Sequence, residues 1–231
     1  MNLDCKHTSS TAILLFAQSN TVESALKPIA YRKKQNEFLW GKMNQKVIRT
    51  IQKTKLPYFI SDENSQHGNT FGQRLSHAIQ TVFEQGFDNV IVVGNDSPGL
   101  SQHHLLKAKS KLALHNWVFG PDCKGGTYLI GVSKTVFDQA LFAKINWQTP
   151  KVLHELKAIA FGSAAELTPL SDFNCLDDLK KLLRDFSFYS CFSNTLLSLL
   201  LYQQPLQAVV KKRYTFEIIG FNFNKGSPVT A

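Results

Sequence analysis

The chain has 231 residues, 43% hydrophobic and 19% charged, which excludes a disordered polymer and suits one α/β domain with a small appendage. A formal net charge of +9 points to an anionic partner. Its basic groups (Arg32 to Lys34; Lys107, Lys109 and Lys111; Lys211 to Arg213) lie far apart, with no basic stripe interleaved with aromatics and no helix-turn-helix signature, which argues against a nucleic-acid partner. The four cysteines, Cys5, Cys123, Cys175 and Cys191, form no CxxC pair and no metal-ligand spacing, as expected of a chain in a reducing cytosol. The apolar runs at 11–17 and 194–205 are too short to span a bilayer. Asp4 and the lack of a small-residue cleavage site argue against a signal peptide, so a cytoplasmic protein is expected.

In chain order, TAILLFA (11–17) is a continuous apolar run and predicts a central strand. Helical spacing follows, most marked over 36–54. LPYFIS (56–61) predicts a second strand, and the polar, glycine-bearing 62–72 a loop. Phe71, Leu75, Ala78, Ile79, Val82 and Phe83 recur at helical spacing, and Gly86 closes that helix. NVIVV (89–93) predicts a third strand. Ser101 is a good N-cap for a helix reaching Leu114. Strands are expected at 116–120 and 127–132 around a turn at 121–126, then helices at 135–142 and 149–160 and a late strand at 165–170. CLDDLKKLLRDF (175–186) reads as a helix with acids first and bases later, matching the helix dipole. The alternation implies a mostly parallel sheet covered on both faces, with ligands beyond the carboxyl ends of its strands. The expected domains are 1–185, binding a nucleotide, and 186–231, a C-terminal extension packed on it.

Four short motifs carry the chemistry. In GNDSPGL (94–100) a buried strand ends in one carboxylate, Asp96, on a tight turn. Such a carboxylate holds a hard cation or bonds the amides ahead of the next helix; both readings stay open at this point. Gly125 and Gly126 sit between two strands, where glycine permits close approach or a tight turn. Trp147 precedes a Thr149-Pro150 helix start, and Asp172 follows the late strand.

In this order, the motifs resemble the glycosyltransferase-A-like bacterial family often labelled radical-SAM/selenodomain-associated transferase, within the nucleotide-diphospho-sugar transferase superfamily. The family's G-S-D-C-P-G-L is matched by 94–100. Its G-P-x-x-D-G-G-Y-Y-L-I-G is matched by Gly120-Pro121, Gly125-Gly126 and 128–131, and its W-S-T-P by 147–150. Its D-V-D-T-P-E-D-L is matched with changes from Asp172 to Leu179, and its E-R-L helix entry by Gly72, Arg74 and Leu75. The resemblance covers about residues 11–183. It implies a three-layer α/β/α sandwich of glycosyltransferase-A type, with a nucleotide or nucleotide-sugar site that uses Mg²⁺ or Mn²⁺. By the same resemblance Asp96 and Asp172 are the catalytic, metal-holding acids. The expected substrate contacts are Arg74, Asn95, Ser97, Asp122, Lys124, Gly125, Gly126 and Trp147.

Three departures bear on function. The family's phosphate-cradling K-T-R-L loop is replaced by AQSNTVESALKPIA (17–30), which has no glycine and Lys27 as its only cation. Lys124 replaces the acid before the paired glycines, with Asp122 two residues earlier; a lysine there can meet phosphate as a point charge. Asn174 replaces the second acid of D-V-D. Elsewhere, His103 and His104 are adjacent on a helix and point apart. His67 is a loop histidine, and Cys123 has no visible base. The expected function is a metal-dependent transferase using a nucleotide or nucleotide sugar and an unknown acceptor. Glycosyl transfer is favoured over nucleotidyl transfer, because a triphosphate grip is missing. The alternative is a catalytically impaired homologue that binds a nucleotide-like ligand without turnover.

Overall fold

The computed structural model describes residues 10–30, 32–175 and 177–178. The expected extension at 186–231, most of the helix expected at 175–186, the run at 194–205, Cys5 and Cys191 lie outside the described residues. Six apolar runs form one sheet: β1 (Thr11–Phe16), β2 (Tyr58–Ser61), β3 (Asn89–Val93), β4 (Trp117–Pro121), β5 (Thr127–Ser133) and β6 (Ala164–Glu166), in the order β2-β1-β3-β5-β4-β6. The pairs β1–β2, β1–β3 and β4–β6 are parallel, and only β5 runs against its neighbours. The sheet is therefore mixed and mostly parallel. β3 and β4 are buried along their whole length, as strands covered on both faces must be.

The helices are α1 (Asn20–Leu26), α2 (Lys33–Lys53), α3 (Phe71–Glu84), α4 (Gln102–Leu112), α5 (Gln139–Ala143) and α6 (Val152–Ile159). Alternate strand residues face opposite ways, so the sheet divides two cores. On one side Leu14, Val92 and Phe119 pack against Ile79 and Phe83 of α3, Phe142 of α5 and Leu156 of α6. On the other, Ile13, Ile91 and Val118 pack against Val47 and Ile51 of α2 and Leu105 and Leu112 of α4. This is the expected three-layer α/β/α sandwich.

Local signals explain most boundaries. Thr70 and Gln73 close a reciprocal capping box at the start of α3, and Gly86, at φ +95°, ends it. The helix expected at 135–142 is instead a 3-10 turn (Lys134–Val136) followed by α5. Asp138 restarts the chain there, its Oδ1 accepting from the amides of Ala140 (2.8 Å) and Leu141 (2.9 Å). The late strand shrinks to three residues. Beyond it Pro169 has no N–H to donate, and only a single bridge from Leu170 to Asp122 continues the pairing.

One buried amide fixes the connection from α1 to α2. Asn36, 2% exposed, donates to the carbonyls of Ser24 (2.7 Å) and Lys27 (2.9 Å) and accepts from the amides of Ile29 (3.0 Å) and Ala30 (2.9 Å). Trp40 Nε1 adds a 3.2 Å bond to the same Lys27 carbonyl. Asn36→Leu leaves these groups buried and unpaired. It is expected to cost about 2–4 kcal/mol in urea unfolding; a loss below about 0.5 kcal/mol would mean that the connection does not depend on this amide.

Candidate functional site

The site begins with register. Leu15 of β1 lies beside Val93 of β3, so the two parallel strands release their chains at one edge. From β3 comes the turn bearing Asp96; from β1 come α1 and Lys27. Lys27 Nζ sits 2.8 Å from Asp96 Oδ2 and 2.9 Å from Glu23 Oε1, and lies 5.2 Å over the Trp40 ring. Burial works to lower the pKa of Lys27, but the two carboxylates outweigh it and the net shift is upward. Glu23, 5% exposed, is raised by burial against the pull of Lys27. The other oxygen of Asp96, Oδ1, is buried with no partner among the described residues.

Helix α2 holds the Asp96 turn from beneath. Asn44 Oδ1 accepts from Asn95 Nδ2 at 2.7 Å, and Lys46 Nζ donates to the Pro98 carbonyl. Burial lowers Lys46 to about 8. Asn44 also donates to the Gln18 carbonyl at 3.3 Å, so one helix ties down both loops.

Because β5 runs antiparallel, the β4–β5 turn opens at the same edge. Asp122 Oδ1 accepts from the amides of Lys124 (2.6 Å) and Gly126 (2.7 Å) and shapes the turn. Gly125 has φ +92°, and a Cβ there would strike the Pro150 carbonyl; a Cβ on Gly126 would strike Asp122 Oδ2. The paired glycines thus serve the turn and the close approach of the 147–150 segment. Asp172 lies behind. Its Oδ1 accepts from Ser97 Oγ, and it is within hydrogen-bonding reach of Asp122. Burial, reinforced by the charges of Asp96 and Asp122, raises the Asp172 carboxyl to about 7.

These elements surround a cavity of about 570 Å³. Phe16, Phe71 and Trp147 make an apolar wall, with Phe71 edge-on to Phe16 at 5.5 Å and tilted against Trp147 at 5.6 Å. Asp96 and Asp122 line the cavity, with Lys27, Arg74 and Lys124. Lys124 is paired with Asp178 at 2.9 Å. Arg74 has a single 3.5 Å contact to the Asn69 carbonyl and no carboxylate partner among the described residues.

Of the expected residues, Asp96, Asp122, Lys124, Gly126, Arg74, Trp147 and Asn95 line the cavity together. Asn95 is 3% exposed with its amide committed to Asn44, and Ser97 is committed to Asp172, so both work as framework. Asp172 and Gly125 sit just outside the wall. Glu23 and Asp178 were not anticipated. The four-residue spacing of Glu23 and Lys27 is a helix ion-pair signal; the contact of Asp178 with Lys124 spans 54 residues and leaves no local trace. His104 accepts from the Ser101 amide at 3.2 Å and serves the start of α4, and His67 stacks edge-on with His77 at 5.3 Å. Cys123 and Cys175 are free, exposed thiols. Among the described residues no group of three or more His, Cys, Asp or Glu side chains is disposed to hold a metal, and no helix is long and apolar enough to cross a membrane. Of the three carboxylates at the wall, Glu23 is buried against Lys27, which leaves two hard carboxylates, Asp96 and Asp122. That number suits Mg²⁺-type ions, which take one or two carboxylates and fill their other positions with water and substrate phosphates.

A raised carboxyl makes folding favour the protonated acid, so the contribution of Asp172 to stability is present below the ordinary Asp range and is lost as pH rises from about 4 through about 7. Asp172→Asn keeps the Ser97 bond and removes that loss. It is expected to be more stable than the parent by roughly 1–3 kcal/mol at pH 8 and equal to it near pH 4. Urea unfolding across that range checks this; a pH-independent difference would contradict it.

No curated protein matches the chain. Among solved structures, a candidate nucleotide-diphospho-sugar transferase from Desulfovibrio desulfuricans G20 superposes with a TM-score of 0.71 at 22% identity, covering 84% of this chain and 98% of that one. A homologue of Rv0371c from Mycobacterium sp. strain JC1 follows at TM-score 0.48 and 12% identity, over 83% of this chain and 98% of that one. Rv0371C of Mycobacterium tuberculosis H37Rv, solved in complex with manganese, stands at 0.48 and 13%, over 77% and 100%. The first of these shows the fold: this sheet and its helices match the nucleotide-diphospho-sugar transferase fold. Residues 38–149, from α2 through Trp147 to Thr149, match the model of a family described as an uncharacterized protein conserved in bacteria (DUF2064).

Proposed function

We propose that this chain is a divalent-metal-dependent transferase that uses a nucleotide sugar, of the radical-SAM/selenodomain-associated type that its motif order resembles. The observation that carries the reading is Asp96: a carboxylate at the carboxyl end of a central strand, with one oxygen buried and unpartnered among the described residues, at a cavity that also presents Arg74 and an aromatic wall. Asp96 and Asp122 are the residues to hold Mg²⁺ or Mn²⁺. Bound there, such an ion supplies charge neutralisation for a departing diphosphate. Arg74, the lining cation with no carboxylate partner among the described residues, meets phosphate as a bidentate donor. Phe71 and Trp147 offer faces to a base or sugar ring. Asp172, its carboxyl raised to about 7 just behind the wall, is the group to take the proton of an acceptor hydroxyl.

The first loop favours glycosyl over nucleotidyl transfer. It brings no glycine nest, and its single lysine is already engaged by two carboxylates, so it has little left with which to grip a triphosphate. The same engagement, with the Lys124–Asp178 pair, favours a second reading: a protein that binds a nucleotide-like ligand without turning it over.

Calorimetry with nucleoside diphosphates and nucleotide sugars, with and without Mg²⁺ or Mn²⁺, separates the two. The transferase reading expects metal-dependent binding of one nucleotide class, weakened at least about tenfold by Asp96→Asn and by Arg74→Met. It also expects slow release of nucleoside diphosphate from the matching sugar nucleotide. Binding that ignores metal, with no release, supports the second reading. No binding of any nucleotide overturns both.

A further inference from the structure

The chain Glu23–Lys27–Asp96 is more than a simple cation site needs. Asp96 lines the cavity; one of its oxygens, Oδ1, is buried and has no partner among the described residues, and the other is taken by an ammonium 2.8 Å away. A divalent ion on Oδ1 would stand within a carboxylate's width of that ammonium, where like charges repel strongly because the surroundings are only partly solvated. Glu23 explains how both can be accommodated. It is an acid at 5% exposure in α1, at the wall of the cavity, where a negative charge would oppose an anionic ligand. Its Oε1 holds the same ammonium at 2.9 Å. Lys27 therefore has a second seat, on its own helix one turn back, and a flexible four-carbon stem to reach it. The backbone at Lys27 stays fixed meanwhile, because Asn36 and Trp40 both bond its carbonyl.

We infer that Lys27 is the resident counter-ion of Asp96, held ready by Glu23, and that a divalent cation gains full use of the Asp96 carboxylate only by displacing it. Lys27 is then a positioning residue that sets the metal affinity of the site. It fills the cation position while the cavity is unliganded and gives it up when metal arrives with an anionic substrate. The inference rests on the reading of Asp96 as a cation ligand, and its test uses the metal alone.

Mn²⁺ binding is measured by electron paramagnetic resonance on the full chain, on Lys27→Met, and on the double variant Glu23→Gln/Lys27→Met. The double variant also removes the Glu23 carboxylate that Lys27→Met would leave buried without its ammonium, and so remains informative if Lys27→Met folds poorly. Both variants are expected to bind Mn²⁺ about tenfold or more tightly than the parent, and adding Asp96→Asn to the double variant is expected to abolish the gain. Mn²⁺ affinity equal to or weaker than the parent's in both overturns the inference. If that happens while nucleotides bind with metal, only the role of Lys27 is wrong. If the variants gain Mn²⁺ affinity but no nucleotide binds, the counter-ion role stands and the transferase reading falls.

Discussion

The pairing of β1 with β3 is the constraint on which the site depends. Parallel strands in register end together, so the chain after Phe16 and the chain after Val93 emerge side by side although more than seventy positions separate them. The polar contacts between the two loops use this adjacency. Lys27 reaches Asp96, and Asn44 reaches both the Gln18 carbonyl and the Asn95 amide. The reversal at β5 then brings the Asp122 turn to the same edge, which an all-parallel sheet would have carried by a crossover to another place.

Charge at this edge is finely divided, in contrast with the overall excess of positive charge. Glu23, Asp96, Asp122 and Asp172 stand against Lys27, Arg74 and Lys124, and two of those cations already have carboxylate partners. These groups come close to balance, so the chain's +9 does not arise from them. Net charge describes the protein's long-range field, and the site answers to a few groups held at bonding distance.

The framework was legible in the sequence wherever one local rule decided the outcome. NVIVV could only be a covered strand, the spacing from Phe71 to Phe83 marked a helix, and Gly86 marked its end. The motif around Asp96 was readable as a turn beyond a strand, and the paired glycines as a place where backbone comes close. What escaped was decided by contacts distant in sequence. Asn95 and Ser97 look like ligand contacts by position, but Asn44 and Asp172 claim them as framework. Lys124 looks like a free point charge until Asp178 is brought to it. The helix expected at 135–142 failed for a local reason: the cap at Asp138 restarted the chain in its middle.

The edges of the sheet carry a consequence of their own. Among the described residues it ends in β2, four residues long, and β6, only three. Edge strands present unpaired backbone groups that a second chain can use as a template, and short ones present few. β6 also bears Glu166 in an ion pair with Lys157 at 2.7 Å, which sets charge at that border. The long, buried, β-branched strands that would aggregate most readily are kept to the middle of the sheet, so the apolar character that builds the edge bearing the cavity does not create a sticky rim.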